Sequence, residues 1–571
     1  MMFSLFCRCQ SIRTIDSIQR IVSYRYFPGQ KLVTSTFTTT TTATRTGSGT
    51  SSNPVASLPV VVDVCRNFYS TTSKSVSTTG GGRQSFSFQQ IYRNRKAEAR
   101  CSVLIQVANK LSCNELYRIC QNVGTIKKMY YGSNRKDYVL VEFNDESSVE
   151  TLLSQATHFP DTAKVPCRTR MLYFGRPKID NHSTLSVTAP VEFEANKGCD
   201  MTALQHATSV TGQINLYYQS ERQTEMGTRL RYFLCTLLED AFRGLFPGVE
   251  VFPFGSSASG LARHNSDLDI ILSLGQQNSN AKADSNLRFM TRKLHPDENH
   301  NKQFTKRTLD VIANTLDLFL PQYEQVQSIL NARVPIVNFK HDATNITCDL
   351  SLNNRSGILM SEVLFTLCQL DSRFRSLLFI LRKWASNKGL TLTRPGPRFS
   401  NFMLGCLVIH FLQTRPVPIL PPLNRIISKD NEILTEYWTL PKSENQEDLG
   451  ELLLGFYEYF ANFPFHNQAI SLLDGVKTFK QERTFQGDMF VENPLDSSHN
   501  VTQNVRLKEL QYLKACLNTA YQQLGNTWEC SDHPWGIIPL LQQEFFVKDI
   551  HLGVRAKDLF ATMRNKLEDS L

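Results

Sequence analysis

The sequence lacks two features that would assign it to a familiar class of protein. It has no run of about eighteen apolar residues, the length that a membrane-spanning helix needs. Its 14 cysteines form no CxxC pair and no zinc-finger spacing, so we interpret them as small buried side chains in a reducing compartment. With 571 residues, 41% hydrophobic and 20% charged, the composition excludes a wholly disordered or collagen-like chain. We therefore expect a soluble, multidomain protein with no membrane partner and no structural zinc.

Acidic residues are scarce in residues 1–97, which contain twelve basic residues and two acids. That excess equals the net charge of +10 of the whole chain, so the remainder is formally neutral and net charge identifies no partner. The segment opens with apolar residues interleaved with arginine, FSLFCRCQSIRTIDSIQRIV, and continues through a Thr/Ser tract. This pattern is typical of a mitochondrial transit peptide followed by a disordered leader, with a secretory signal peptide or a plain basic tail as alternatives. We expect the protein to reside in the mitochondrial matrix.

Residues 98–180 predict a small domain with the order βαββαβ, because strand-like and helix-like periodicity alternate along them. This order resembles the RNA-recognition-motif family. The third strand, KDYVLVEF, keeps aromatic residues at Tyr138 and Phe143. It has Asp137 and Leu140 where that family places glycine and a second base-stacking aromatic residue. The pattern therefore favours a scaffold or self-association role, and hence a homodimer through this domain, over base stacking.

The most informative segment is FPFGSSASGLARHNSDLDIILSL, residues 252–274. Asp267 and Asp269 are two residues apart in a predicted strand, so both carboxylates project from one face while the apolar neighbours pack on the other. Two carboxylates at that spacing repel each other unless a divalent cation lies between them, which predicts a Mg²⁺ site. For an isolated Asp-X-Asp, a solvated strand face is the alternative.

Two neighbouring features favour the metal site. Gly255 and Ser256 form a turn ten residues before the aspartate pair, and such a turn offers backbone N–H groups and a hydroxyl to an anion such as a triphosphate. A later predicted strand, NITCDLSLNN, carries a single carboxylate, Asp349, between apolar residues. The sequence thus predicts three carboxylates and a phosphate-binding turn in one site.

A Gly-Ser turn, an Asp-X-Asp strand and a later apolar-Asp-apolar strand resemble the polymerase-beta-like nucleotidyltransferase superfamily. The resemblance implies two Mg²⁺ or Mn²⁺ ions that assist an in-line displacement at phosphorus. Asp267 and Asp269 would hold both ions. Asp349 would hold the ion that activates the attacking hydroxyl and would help to take its proton.

Two downstream segments resemble the poly(A) polymerases. DLGELLLGFYEYFANFPFHNQAISLLDG is similar to their associated helical domain, and FVENPLDSSHNVTQNV is similar to their nucleotide-recognition loop. With the leader, this combination looks like a mitochondrial branch of the noncanonical poly(A) polymerase family. We therefore expect an α+β fold with an RNA-recognition-like domain at 98–180, a nucleotidyltransferase core at 200–360, a helical domain at 361–545 and a tail at 546–571.

The resemblance also implies nucleotide-binding side chains. A basic residue of ILRKWASNKGL would meet the triphosphate, the start of the next helix would hold phosphate and base, and a histidine in the recognition loop would contact the base. The candidates are Gly255, Ser256, Arg382, Lys383, Lys388, Ser400, Asn401, Phe402 and His499.

The implied activity is template-independent addition of adenosine from ATP to the 3′ end of mitochondrial RNA, with release of pyrophosphate. Because SSHN resembles the loops of uridine-adding relatives, a terminal uridylyltransferase is the first alternative. A non-catalytic RNA-binding scaffold with a transferase fold is the second.

Overall fold

The structure is a computed structural model that describes residues 87–157, 168–175, 189–193, 198–274, 298–391, 398–434, 440–480, 487–529 and 534–542. These residues all belong to one compact unit, Thr71–Leu571. The predicted transit peptide and the predicted tail at 546–571 lie outside the described residues. In the part of the chain that is described, no helix is both long and apolar enough to cross a bilayer.

The first domain is a five-stranded sheet with helices on one face. Its strands lie side by side in the order β4-β1-β3-β2-β5. Along the chain the elements from β1 to β4 follow the order βαββαβ, and β5 adds a fifth strand. The elements of this domain are α1 Phe88–Arg100, β1 Ser102–Gln106, α2 Cys113–Val123, β2 Ile126–Ser133, β3 Asp137–Phe143, α3 Glu146–Gln155, β4 Met171–Tyr173 and β5 Val191–Phe193.

Helix α1 differs from the sequence-based expectation, which placed residues up to 97 in a disordered leader. Ser87 caps the helix by accepting a hydrogen bond from the Gln90 N–H at 3.1 Å. Phe88 and Tyr92 lie one turn apart and are buried in an aromatic cluster with Tyr232 and Phe252 of the second domain and Phe365 of the helical domain. Burial of this apolar stripe stabilises a helix whose polar composition conceals it in the sequence.

The second domain contains a mixed five-stranded sheet with the order β6-β7-β10-β9-β8. Strands β7 and β10 are parallel neighbours, while β6, β8 and β9 pair in antiparallel fashion. The elements from residue 201 to 352 are α4 Met201–Gln205, α5 Val210–Glu221, α6 Glu225–Phe242, β6 Glu250–Phe254, α7 Ser256–Ser259, β7 Leu268–Ser273, α8 Glu298–Phe319, β8 Tyr323–Ile329, β9 Ile336–His341 and β10 Thr347–Leu352.

Helix α6 joins the two sheets into one core. Leu104, Tyr138 and Leu140 of the first sheet are buried in the same cluster as Met226 and Phe233 of α6. This cluster also includes Ile270 and Leu350 of the second sheet. The face of the first sheet on which RNA-recognition motifs stack bases is therefore covered by a helix of the same chain.

The remaining elements form a helical domain with two small hairpins. Its core also takes in α5, so Val210–Glu221 packs with this domain although the sequence assigned it to the transferase core. The elements are α9 Arg355–Leu370, α10 Ser372–Asn387, α11 Asn401–Gln413, α12 Leu449–Asn462, β11 Gln468–Ser471, β12 Val476–Phe479, β13 Glu492–Asn493, β14 Asp496–Asn500, α13 Leu507–Asn526 and α14 Ile538–Leu541.

Candidate active site

The structure places the three predicted carboxylates on neighbouring strands. Leu268 and Ile270 of β7 are buried in the core, so Asp269 faces the opposite side of the sheet, and Asp267 lies directly before the strand. Asp269 and Asp349 stand opposite each other in the parallel ladder between β7 and β10. Adjacent strands are about 4.8 Å apart, so these two carboxylates belong to one site.

The carboxylates influence one another electrostatically. Burial and the neighbouring charges of Asp349 and Asp267 together raise the pKa of Asp269 to about 7, with burial as the largest cause. Burial and the Asp349 charge also raise the pKa of Asp267, while Arg231 acts in the opposite direction. In the absence of a cation, the site therefore resists full ionisation.

Within the Gly-Ser turn, Gly255 is the residue that lies against the carboxylates. It adopts a φ of +64°, and a Cβ atom at this position would lie 2.3 Å from Oδ2 of Asp269. Its N–H donates to the Ser361 hydroxyl at 2.7 Å, and that hydroxyl donates to the Gly357 carbonyl at 2.6 Å. Helix α9 thereby holds the turn against Asp269, and the Gly255 N–H is already engaged. The Ser256 side chain and the first turn of α7 remain for an anion.

Three positioning residues were not identified from the sequence. Asn338 of β9 donates from Nδ2 to Oδ1 of Asp349 at 2.7 Å. Arg231 of α6 donates to the Ser266 carbonyl, directly before Asp267, and Ser361 holds the turn described above. Each contact joins segments that are distant in the chain, so no local pattern marks these residues.

The predicted phosphate and base contacts lie where α10 and α11 meet. Ser400 caps α11, accepting from the Met403 N–H at 3.1 Å, which leaves Asn401 exposed and Phe402 half-buried at the first turn. An apolar cavity at this point is lined by residues of α9, α10, α11, the β13–β14 hairpin and two loop positions, Leu423 and Leu472. The others are Met360, Leu364, Leu378, Arg382, Asn401, Phe402, Gly405, Cys406, Ile409 and Pro494.

The basic candidates of α10 differ in placement. Arg382 is half-buried, its Nη1 donates to the Leu261 carbonyl at 3.1 Å, and desolvation lowers its pKa to about 10. Lys383 is half-buried. Lys388 lies at the C-terminal cap of α10 and is 4% exposed, with its carbonyl accepting from the Tyr512 hydroxyl at 2.8 Å. Among these three, Arg382 reaches the cavity beside Asn401 and Phe402.

His499 lies on β14 and contacts the transferase core. Its Nε2 pairs with the guanidinium of Arg333, a residue of the β8–β9 connection. Burial lowers the pKa of His499, and the positive charge of Arg333 lowers it further, which favours the neutral imidazole. The hairpin itself is fixed by Asn500, whose side-chain Oδ1 accepts from the N–H groups of Val491 at 3.1 Å and Thr502 at 2.9 Å.

The donor set suits a hard divalent cation, since Mg²⁺ prefers carboxylate oxygens. Within the described residues, no three carboxylate, imidazole or thiol groups are already gathered around one point. The Asp349 carboxylate accepts a hydrogen bond from the side chain of Asn338. The raised pKa of Asp269, produced by burial beside two further carboxylates, is the observation that fits a cation: its charge would remove the repulsion that the site now contains.

Comparison with known families agrees with this architecture. A model of the central palm domain of mitochondrial-like poly(A) RNA polymerases matches residues 210–369. A Cid1-family poly(A) polymerase model matches residues 448–499, and an RL-domain model matches residues 87–157.

Known proteins match over most of the chain. The mitochondrial poly(A) RNA polymerase of Drosophila melanogaster is 31% identical over 478 residues, which is 79% of this chain and 78% of the relative. That of Homo sapiens is 31% identical over 80% of this chain and 81% of its own length. A crystal structure of mtPAP in complex with ATPγS has a TM-score of 0.71 and 29% identity, covering 80% of this chain and 99% of that one. The same relative has also been solved with UTP, at a TM-score of 0.71 and 30% identity, again covering 80% of this chain and 99% of that one. Three matched domain models in the order that the structure displays, and relatives aligned over about four fifths of their length, place this chain in the mitochondrial poly(A) RNA polymerase family of nucleotidyltransferases.

Proposed function

We propose that this protein adds adenosine from ATP to the 3′ end of RNA without a template. The observation that carries the proposal is the ladder position of Asp349 opposite Asp269, with Asp267 directly before the same strand. Three carboxylates on one face beside an anion-binding turn suit nucleotidyl transfer, in which negative charge must be held close to a reacting phosphorus.

Each part of the site has a role in this reaction. The Ser256 hydroxyl and the first turn of α7 would bind the triphosphate. The primer 3′ hydroxyl would attack the α-phosphorus while the bond to the β-phosphate breaks and pyrophosphate leaves. Asp349 would take or direct the proton that the hydroxyl loses. When bound, two Mg²⁺ or Mn²⁺ ions, held by Asp267 and Asp269 with Asp349 on one of them, would supply Lewis-acid stabilisation.

The choice of base rests on the recognition hairpin. His499 is the residue that would favour uracil, and its Nε2 is engaged by Arg333. An imidazole held in this way is not free to contact a base, which supports adenosine transfer over uridine transfer. The relative has been solved with ATPγS and with UTP. These complexes show that it binds both nucleotides and do not indicate which of them it transfers.

The decisive experiment supplies each nucleoside triphosphate separately to the purified protein with a defined oligoribonucleotide and Mg²⁺. We expect extension by ATP with one pyrophosphate released per nucleotide added. Extension by UTP well above ATP would establish the uridylyltransferase alternative. Binding of RNA with no pyrophosphate release from any triphosphate would establish the scaffold alternative.

We also propose that the protein acts in the mitochondrial matrix, as the basic leader and the names of its relatives suggest, and that it self-associates through the first domain. Because α6 covers one face of that sheet, its outer strands β4 and β5 are left for a partner copy, with Tyr173 and Phe193 half exposed at 55% and 50%. Light scattering of Tyr173→Asp tests this arrangement, since an isologous contact there would be lost.

A further inference from the structure

We infer that Lys340 binds a backbone phosphate of the RNA primer. This inference rests on the proposed function and adds to it a contact for the second substrate. The register of the β6–β10 sheet and the ion pairs around Lys340 support this contact.

Lys340 projects from the same face of the sheet as the catalytic carboxylates. Along β9, Val337 and Phe339 are buried, while Asn338 and Lys340 alternate with them and are half-buried. Asn338 shows which face this is, because it hydrogen-bonds Asp349. Lys340 stands opposite Thr347, two residues before Asp349, so its Cα lies about 8 Å from that of Asp349 by strand geometry.

The order of the strands puts Lys340 on the primer side of the site. The Gly-Ser turn follows β6, next to Asp269 of β7, so the triphosphate lies over the β6 edge. In an in-line displacement, the attacking oxygen approaches opposite the leaving pyrophosphate. The primer must then arrive over β9 and β8, on the far side of Asp349. Lys340 is the cation of β9 on this face.

Among the carboxylates of the described residues, none neutralises Lys340. Among the described residues it forms no salt bridge, although Glu324 of β8 stands directly opposite it in the ladder. Glu324 pairs instead with Arg135 at the tip of the β2–β3 hairpin. Lys136 of the same tip pairs with Asp342, two residues beyond Lys340.

The tip of the first domain therefore engages both acidic groups that flank Lys340. Asn134 completes the docking by donating to the Thr344 carbonyl at 3.0 Å. An unpaired ammonium beside an RNA cleft suits a phosphodiester oxygen, and each such contact contributes to the salt dependence of binding. The docked hairpin thus keeps Lys340 available for the primer.

The test compares Lys340→Met with Lys340→Arg in the full-length protein. Binding of a fluorescently labelled oligoribonucleotide is followed by anisotropy, without nucleotide, across a range of salt concentrations. We expect Lys340→Met to weaken the Kd about 5–10-fold and to reduce the slope of log K against log salt by about 0.7, the value for one single-strand phosphate. Lys340→Arg keeps the charge and should stay within about two-fold of wild type.

Steady-state kinetics separates the two substrates. The KM for primer should rise with Lys340→Met while the KM for ATP stays unchanged. Lys302→Met is the matched control, because Lys302 is exposed on α8, which packs on the opposite face of the sheet. A rise in the KM for ATP alone would assign Lys340 to the triphosphate, and an unchanged primer Kd would overturn the inference outright.

The role of the hairpin is tested by Arg135→Gln. This substitution should release Glu324, which can then pair with Lys340, so that primer binding weakens about 2–3-fold. Adding Glu324→Gln in the double variant should restore primer binding. If the double variant stays weak, Arg135 itself contacts RNA and the proposed division of roles is wrong. Anisotropy requires no turnover, so a wild-type protein that adds no nucleotide would overturn the proposed function while the Lys340 measurement still reports on RNA binding.

Discussion

Asp269 and Asp349 face each other across the parallel β7–β10 ladder, although they are far apart in the chain. This pairing concentrates negative charge on one face of the sheet, on two of its interior strands. It explains both the raised pKa of Asp269 and the suitability of the site for a cation.

Asp269→Asn should abolish nucleotide addition, by about 10³-fold or more, while the fold is retained, because the side chain supplies charge and little packing. Primer extension and circular dichroism measure the two effects. Normal rates with Mg²⁺ in this variant would contradict the proposed mechanism.

The same substitution should change how stability depends on pH. Since the folded pKa of Asp269, about 7, exceeds the ordinary value of 3.8, its contribution to stability is present below about pH 4 and is lost as pH rises to about 7. In chelator, the Tm advantage of Asp269→Asn over wild type should therefore grow between pH 5 and pH 7.5 and then level off. Added Mg²⁺ should raise the Tm of wild type more than that of the variant at pH 8.

Gly255→Ala should inactivate the enzyme, because the new Cβ atom would lie 2.3 Å from Oδ2 of Asp269. Gly260→Ala is the matched control: Gly260 also has a positive φ, of +75°, but nothing lies within 4 Å of its Cβ position. Gly260→Ala should lose about 1 kcal/mol of stability through left-handed strain, and Gly255→Ala should lose more, because its φ of +64° is combined with a ψ of −139° and its Cβ atom meets Asp269. Only Gly255→Ala should lower kcat, by about 100-fold, in primer-extension assays. An equal loss of kcat in both variants would mean that backbone strain alone is responsible.

Tyr138→Ala should destabilise the protein by about 3 kcal/mol without changing its affinity for RNA. Tyr138 is 1% exposed, in the cluster that joins the first sheet to α6. Denaturant unfolding and anisotropy give the two quantities, with Tyr138→Phe as the control. Loss of a base-stacking contact would instead cost about 1–3 kcal/mol of binding.

Arg333→Gln should raise the efficiency of UTP use relative to ATP about 3–10-fold, because it frees the imidazole of His499. The pKa of His499 should rise at the same time, since Arg333 contributes to lowering it. Parallel kcat/KM measurements with both nucleotides test the effect. Addition of His499→Ala should cancel the gain, and a gain that persists would show that His499 does not read the base.

Much of the site follows from short-range patterns. The two-residue spacing of Asp267 and Asp269 fixes their common face in any strand, and the apolar residues between and after them fix which face is buried. The pairs Gly255–Ser256 and Ser400–Asn401 mark turns and helix starts for the same local reason. These features depend only on backbone geometry within a few residues.

Other features depend on contacts between distant segments. The sequence places most of helix α1 in the leader, because the apolar stripe of this helix is buried only by contact with Tyr232 and Phe252 of a distant segment. Local composition could not reveal the partner that stabilises it.

The sequence alone determined that this chain carries two carboxylates on one strand face, a phosphate-type turn and a βαββαβ domain, because each is set by periodicity over neighbouring residues. Only the tertiary structure decided the register that sets Asp349 opposite Asp269, the covering of the stacking face around Tyr138 by α6, and the pairing of Arg135 with Glu324 beside Lys340. Those outcomes depend on strand register and domain docking, in which side chains compete for partners across long stretches of chain.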